Sequence, residues 1–275
     1  INKALQILEE EKKEKVIRQH QFQKQFRVWA KWIVAALVCG AIYYYFSRPV
    51  PPFKGVAKVN LSTVIDTQTN LAENEVEKVE LFKHNKLYAY IKLMDAQYGH
   101  TIKWELYSPG GHLNDKQSLK MPNSPKEIWT GFATFNFPIN TKLGDWKVVI
   151  YADSKPIAER VFKVEWGNVK VSMAGGLDRN KKPINISDEF SKTNTSAIYC
   201  YLDWELLSRK AEIKWRWKDS KGNLINEETF KLTPSGTGGY WAYDDFPIKD
   251  LAAGKYTVEV WIENIKFTEK DFLIR

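Results

Sequence analysis

The fold class follows from two related stretches, GDWKVVIY at residues 144–151 and GKYTVEVW at residues 254–261. In the first stretch Trp146, Val148 and Ile150 occupy every second position. Both stretches begin with a glycine. Side chains of a β-strand alternate between the two faces of a sheet, so this spacing is typical of a strand with one buried face. Both stretches therefore predict strands that pack on a core.

An internal duplication connects these two stretches. The tripeptide Ile-Lys-Trp at residues 102–104 recurs 111 positions later, at residues 213–215. Three further matches have similar offsets: Tyr88–Ile91 with Tyr199–Leu202, Gly111–Leu113 with Gly222–Leu224, and Phe137–Ile139 with Phe246–Ile248. An offset that stays nearly constant along the chain predicts two tandem domains of the same fold. We place them at residues 56–165 and 166–275.

Each predicted domain has the pattern of an antiparallel β-sandwich. Turn-forming clusters separate the apolar runs: Ser108–Gly111, Asp219–Gly222 and Ala253–Gly254. About seven short strands in roughly 110 residues, with no helical stretch, favour two packed sheets. The cysteine pair of antibody domains is missing, so the term immunoglobulin-like (Ig-like) describes the architecture alone. The predicted fold is mainly β.

The order of these segments resembles a known kind of protein. The resemblance rests on IYCYLDW at residues 198–204, IKWRWKDSKGNL at 213–224, FPI at 246–248 and GKYTVEVWIENIKFTEKDFLI at 254–274. In this pattern the chain resembles membrane-tethered bacterial envelope proteins that carry tandem small Ig-like β-sandwich domains. The resemblance covers both copies and implies an Ig-like fold outside the cytoplasm. It implies no catalytic residues.

Residues 28–46, VWAKWIVAALVCGAIYYYF, predict a single transmembrane helix. No charged residue occurs from Ile33 onward, and at 1.5 Å per residue the stretch approaches the ~30 Å thickness of the hydrocarbon core. Trp29 and Trp32 at one end, and the aromatic run at the other, are typical of membrane interfaces. A buried core helix and the apolar region of a signal peptide are the alternatives. The sequence YYYFSRPVPP lacks the small residues of a cleavage site, which favours a retained helix.

The flanking segments predict the orientation of this helix. Seven basic residues precede it closely: Lys12, Lys13, Lys15, Arg18, Lys24, Arg27 and Lys31. Only Arg48, Lys54 and Lys58 follow it within a similar distance. The positive-inside rule then places residues 1–27 in the cytoplasm as a juxtamembrane helix. Residues 47–55, with three prolines, predict a stiff linker. We expect a bacterial inner (plasma) membrane protein whose C-terminal domains are periplasmic or extracellular.

The composition limits the partners and the compartment. The first 31 residues carry half of the formal net charge of +8, which suits anionic lipid head groups. The other half is spread too thinly to indicate nucleic-acid binding. Cys39 lies inside the predicted span and Cys200 in a predicted strand, so they cannot form a disulfide. The 14 Phe, 13 Tyr and 11 Trp residues must then supply the hydrophobic cores.

No catalytic, cofactor or metal site is predicted. The chain contains no G-x-S-x-G, P-loop, H-E-x-x-H or C-x-x-C motif. Its four histidines lack the spacing of metal ligands: His20, His84, His100 and His112. We interpret Asp203 with Glu205, and Asp244 with Asp245, as solvated acids because no calcium-loop motif surrounds them. We therefore expect a protein that is not an enzyme and needs no cofactor.

The second domain is rich in tryptophan: Trp204, Trp215, Trp217, Trp241 and Trp261. Such rings either fill a core or form a flat platform on which sugars stack. Trp104 matches Trp215 in the duplication, so we predict that both are core residues. Trp217 matches Leu106, which leaves its role open. We take Trp217 and Trp241 as candidates for an aromatic binding face.

The helical part of the chain predicts protein partners. Ala36 and Gly40 form a small-xxx-small pair that lets another helix approach closely. Ile1, Leu5 and Leu8 form an apolar stripe, on an arm that is either solvated or packed on a partner. We expect other membrane or envelope proteins in a hetero-complex and, since the sequence begins at Ile1, further chain upstream. The predicted function is that of a scaffold or accessory subunit. The alternative is a receptor for a small-molecule or glycan ligand.

Overall fold

The structure divides into two compact units, Ile1–Pro52 and Phe53–Arg275. It is a computed structural model that describes residues 2–46, 53–66, 69, 71–94, 99–122, 128–234 and 239–275. Most of the predicted linker, residues 47–52, lies outside the described residues. The same holds for the side chains of the predicted apolar stripe, Ile1, Leu5 and Leu8.

The first unit is one uninterrupted helix, α1 (Asn2–Phe46). Its stretch Phe22–Tyr44 has 23 residues with a mean hydropathy of 1.4, and none of its apolar window is buried within the protein. By length and composition this stretch can cross a membrane, and the apolar region of a signal sequence meets the same criteria. The predicted apolar N-terminal helix is therefore confirmed as a helix.

The first half of the second unit is a sandwich of two sheets. Its strands are β1 (Val56–Ser62), β2 (Lys78–Glu80), β3 (Lys86–Met94), β4 (Thr101–Tyr107), β5 (Leu113–Lys120), β6 (Ile128–Asn136), β7 (Gly144–Ala152) and β8 (Lys155–Glu165). One sheet has the order β1-β3-β6 and the other the order β2-β8-β7-β4-β5. All pairs are antiparallel except β2 with β8.

The second half repeats this topology with one additional strand, β10. Its strands are β9 (Val169–Leu177), β10 (Pro183–Ile186), β11 (Glu189–Phe190), β12 (Ala197–Trp204), β13 (Ala211–Lys218), β14 (Leu224–Leu232), β15 (Tyr240–Pro247), β16 (Gly254–Ile262) and β17 (Ile265–Ile274). The sheets have the orders β10-β9-β12-β15 and β11-β17-β16-β13-β14. The predicted mainly β fold with Ig-like sandwiches is thus confirmed.

Alternating apolar residues form the cores, as the strand pattern predicts. In β7 the side chains of Trp146, Val148 and Ile150 are buried on the inner face. Trp104 in β4 and Trp215 in β13 are also fully buried, which confirms both as core residues. Burial of such large rings stabilises a fold that has no disulfide.

The strand register corrects one part of the predicted duplication. Phe246 pairs with Ile198 in the same way that Phe135, rather than Phe137, pairs with Leu87. The predicted match of Phe137–Ile139 with Phe246–Ile248 is therefore wrong by two residues within the strand. A slip of two residues leaves every side chain on the same face, so the apolar pattern cannot detect it.

A buried junction joins the two sandwiches. The ring of Phe82, in the turn after β2, lies edge-to-face with the ring of Trp204, their centroids 5.7 Å apart. Its centroid is 5.5 Å from that of Trp166. Arg209 donates from Nη1 to the carbonyl oxygens of Leu81 and His84, at 2.8 and 3.0 Å. These apolar and charge-assisted contacts hold the two sandwiches together.

Candidate functional site

The two tryptophans predicted as a binding face lie on opposite faces of their sheets. Trp217 in β13 is 0% exposed, and its Nε1 donates to Oδ2 of Asp244 at 2.7 Å. Its ring stacks on Phe246 with a centroid distance of 5.0 Å. Trp241 in β15 is partly exposed on the outer face. The structure therefore corrects the prediction for Trp217, because strand alternation directs this ring into the core.

Trp241 instead belongs to an aromatic ladder formed by Tyr199, Tyr201, Trp241 and Tyr243 on the outer face of β12 and β15. Trp241 stacks on Tyr201 at 6.1 Å and 16°, and on Tyr243 at 5.9 Å and 15°. Tyr199 packs against Tyr243 at 5.8 Å. Lys181 Nζ donates to Tyr243 Oη at 3.1 Å. The sequence prediction missed the three tyrosines, although each strand carries its two rings two positions apart.

In the first sandwich, one side chain joins the free edges of β5 and β6. Gln117 in β5 donates from Nε2 to the carbonyl oxygen of Thr134 in β6. Thr134 N–H donates in return to Gln117 Oε1 at 3.1 Å. The amide thus satisfies both outward-facing backbone groups of Thr134, because it supplies a donor and an acceptor.

The second sandwich has a carboxylate at the position of this amide. Glu228 pairs with Trp215 as Gln117 pairs with Trp104, and Asp245 pairs with Tyr199 as Thr134 pairs with Tyr88. An ionised carboxylate accepts hydrogen bonds but cannot donate to a carbonyl. Within the described ranges no hydrogen bond connects β14 to β15. We call this unbridged gap the seam.

The seam exposes the backbone of β15. Ile248 N–H donates to the carbonyl of Ser196 at 3.1 Å, so by alternation the N–H and C=O groups of Trp241 and Tyr243 point away from β12. No described residue hydrogen-bonds to these four groups. We call them the open edge. A groove of about 490 Å³ runs beside it, lined by Phe230, Gly239, Tyr240, Trp241, Ala242 and Tyr243.

The seam is acidic. Burial raises the pKa of Asp244 to about 6, and the negative charges of Asp245 and Glu228 act in the same direction. The hydrogen bond from Trp217 opposes this rise because it stabilises the charged form. Glu228 lies close enough to repel Asp244, whereas its neighbour Glu227 pairs with Arg216 at 2.9 Å on the other face.

The histidine, cysteine and paired acidic residues considered as metal ligands or nucleophiles do not form such a site among the described residues. In the part of the chain that the structure describes, no group of three or more His, Cys, Asp or Glu residues is arranged to hold a metal ion. His100 is buried, with Nδ1 at 2.8 Å from Asp153 Oδ2. Burial raises the pKa of the Cys200 thiol to about 12, which disfavours the nucleophilic thiolate. Asp244 faces inward and Asp245 outward, so they do not form a carboxylate pair.

The predicted helix-packing residues lie on the surface of α1. Ala36 and Gly40 are both exposed within their own unit. A side chain added at Gly40 would meet nothing within 4 Å. The surface around Gly40 is therefore open to the close approach of another helix.

Comparisons with known proteins give a fold likeness only. No family model matches the chain, and no curated protein matches it. Among solved structures, the chain is similar to an immunoglobulin-like protein from Pseudomonas aeruginosa, with 12% identity over 43% of this chain and 99% of that one, and a TM-score of 0.30. It is also similar to red sea bream transglutaminase, with 9% identity over 86% of this chain and 33% of that one, and a TM-score of 0.31.

Proposed function

We propose that this chain is a membrane-anchored, non-enzymatic subunit that binds other proteins through its second sandwich. The observation that carries this proposal is the open edge of β15. Unpaired strand edges bind other strands readily, and proteins usually cover them. In the first sandwich Gln117 bonds to the outward backbone groups of Thr134, whereas no described residue bonds to those of Asp245 at the corresponding position. The open edge continues along β15 from there, beside the partly exposed aromatic ladder.

In this proposal α1 is the membrane anchor, and the junction at Phe82 presents both sandwiches as one body. Ala36 and Gly40 add a contact with a partner helix inside the bilayer. The excess of basic residues before Val28 supports a cytoplasmic N-terminus in a bacterial plasma membrane, with the sandwiches on the other side.

Protease treatment of spheroplasts tests this topology. External protease is expected to digest the unit Phe53–Arg275, which contains both sandwiches and is called the sandwich unit below. Residues before Val28 are expected to be spared, because the basic flank stays on the cytoplasmic side. Immunoblotting of tags at the two ends follows both regions, and lysed spheroplasts are the control for tag accessibility. Loss of the N-terminal tag in intact spheroplasts would show the opposite orientation.

A proline at the open edge tests the partner-binding function. Tyr243→Pro removes an outward N–H and places a ring on the edge, while the hydrogen bonds of neighbouring residues to β12 remain. We expect this change to reduce partner recovery at least about tenfold, which corresponds to roughly 1.4 kcal/mol. The measurement is co-purification in mild detergent with quantitative mass spectrometry.

The matched control is Tyr243→Phe, which retains the ring and the N–H and loses only the hydroxyl that accepts from Lys181. It is expected to recover the same partners as the unmodified chain. Circular dichroism confirms that both variants retain the β-sandwich. Equal recovery by the proline variant would exclude the open edge as the binding surface.

A glycan receptor is the second candidate function. It is favoured by the nearly parallel, partly exposed rings of Trp241 and Tyr243, since sugars stack on flat aromatic surfaces. Binding of immobilised glycans that disappears with Trp241→Ala, together with partner recovery that Tyr243→Pro leaves unchanged, would support this function over protein binding.

A further inference from the structure

We infer that the open edge accepts an extended segment of a partner protein as an added antiparallel strand, with a basic side chain directed at Glu228 and Asp244. This inference rests on the proposed protein-binding function and specifies its mode and chemistry.

The backbone supplies the recognition that does not depend on side chains. The N–H and C=O groups of Trp241 and Tyr243 repeat at every second residue, which is the spacing of a neighbouring strand. Strand addition uses such a row of donors and acceptors for affinity, and pockets for alternate side chains provide specificity. The groove beside β15 leaves room for the added chain.

The two faces of the added strand meet different surroundings. A residue opposite Tyr243 points outward, beside the aromatic ladder, which favours an apolar side chain. A residue opposite Ala242 points inward toward Phe230, which is 42% exposed and pairs with the buried Ile213. This position also favours an apolar side chain, because it covers the Phe230 ring.

The residue opposite Asp244 determines the charge of the segment. It points inward, toward Glu228, which shares the inner face with Phe230 because these two residues are two positions apart in β14. The cations Lys214 and Arg216 lie on the outer face of their sheet, where they pair with Glu227. A lysine or arginine at this position therefore meets two acids that have no described ion-pair partner.

A short peptide with this pattern tests the inference. The probe is a fluorescently labelled acetyl-Ser-Thr-Lys-Val-Val-Thr-Ser-amide, which places Lys opposite Asp244 when it runs antiparallel to β15. Anisotropy is measured with the full chain in detergent micelles. We expect saturable binding that falls about tenfold when Lys is replaced by Glu, the effect of roughly 1.4 kcal/mol from one charge reversal. Tyr243→Pro is expected to abolish binding of both peptides.

Variants of β14 separate charge from closure of the seam. Glu228→Ala is expected to weaken the Lys peptide about tenfold and to leave a peptide with Gln at that position unchanged. Glu228→Gln is expected to weaken both, because Gln can bridge to the backbone of Asp245 as Gln117 bridges to Thr134. Glu227→Gln is the matched control: it lies next in the strand on the opposite face, and we expect no change.

The outcomes distinguish this inference from the proposed function. Absence of saturable binding by the Lys peptide, equal binding of the Lys and Glu peptides, or an equal effect of Glu227→Gln and Glu228→Ala would overturn the inference. If partner recovery still depends on Tyr243→Pro in that case, the protein-binding function stands and another mode of recognition applies. If partner recovery does not depend on it, both fail.

Discussion

Replacing Trp215 with alanine is expected to lower the free energy of unfolding of the sandwich unit by about 3–5 kcal/mol. The indole is 0% exposed in β13, and alanine at this position leaves a cavity that close-packed neighbours fill only in part. Trp104→Ala at the matching position of the first sandwich is expected to have an effect of the same size. Urea unfolding of the fragment Phe53–Arg275, followed by circular dichroism, measures both values.

The matched control is Trp261→Ala in β16, because this ring is half-buried on the outer face, near the guanidinium of Arg216. It is expected to cost clearly less than either core variant. A change near zero for Trp104→Ala or Trp215→Ala would contradict the assignment of that ring to the core. Separate transitions for the two sandwiches would show that the junction at Phe82 does not couple their unfolding.

The fold could be predicted from the sequence because its determinants are local and repeated. The alternation of Trp146, Val148 and Ile150 has the period of a strand, and it is present in both copies. Burial of one face follows directly from that period. The apolar stretch of α1 was equally visible, since the length and composition of a membrane-spanning helix are properties of one segment.

The candidate site could be predicted only in part, because it depends on which strands are neighbours. Trp241 was identified, but the ladder requires Tyr201 to lie directly opposite Tyr243, a pairing between residues far apart in sequence. Trp217 was only a candidate for the binding face, because a core ring and a platform ring have the same spacing within one strand. Its inward direction, and its hydrogen bond to Asp244, appear only when the two sheets are packed.

The seam had a signal in the sequence that becomes meaningful only with the structure. Gln117 and Glu228 are separated by the offset of the duplication, so the exchange of amide for carboxylate was readable. Its consequence depends on the side-chain bridge from Gln117 to Thr134, which no local pattern predicts. The second copy therefore differs from the first because the bridging amide of Gln117 is replaced by the carboxylate of Glu228, and not because it carries an additional motif.

Asp244→Asn is expected to raise the free energy of unfolding by about 2–3 kcal/mol above pH 7 and to leave it nearly unchanged at pH 4. Burial raises the folded-state pKa of Asp244 from 3.8 to about 6, so between these values the folded state binds more protons than the unfolded state. Stability of the unmodified protein consequently falls as the pH rises through this window, and the loss is complete above it. Asparagine carries no charge at any pH, and its Oδ1 can still accept the hydrogen bond from Trp217.

The measurement is urea unfolding of the sandwich unit from pH 4 to pH 8, with the difference between variant and unmodified protein taken at each pH. All other groups titrate in both proteins, so this difference isolates the ionisation of Asp244. Asp250→Asn, at an exposed position in the turn after β15, is the matched control for the exchange of a carboxyl for an amide at the surface. A flat difference for Asp244→Asn would mean that this carboxyl titrates as a solvated acid, and that the seam exerts no repulsion on it. A difference that rises between pH 4 and pH 6 would show that Asp244 carries an unfavourable charge next to Trp217. In the first sandwich the apolar Leu106 takes the place of Trp217.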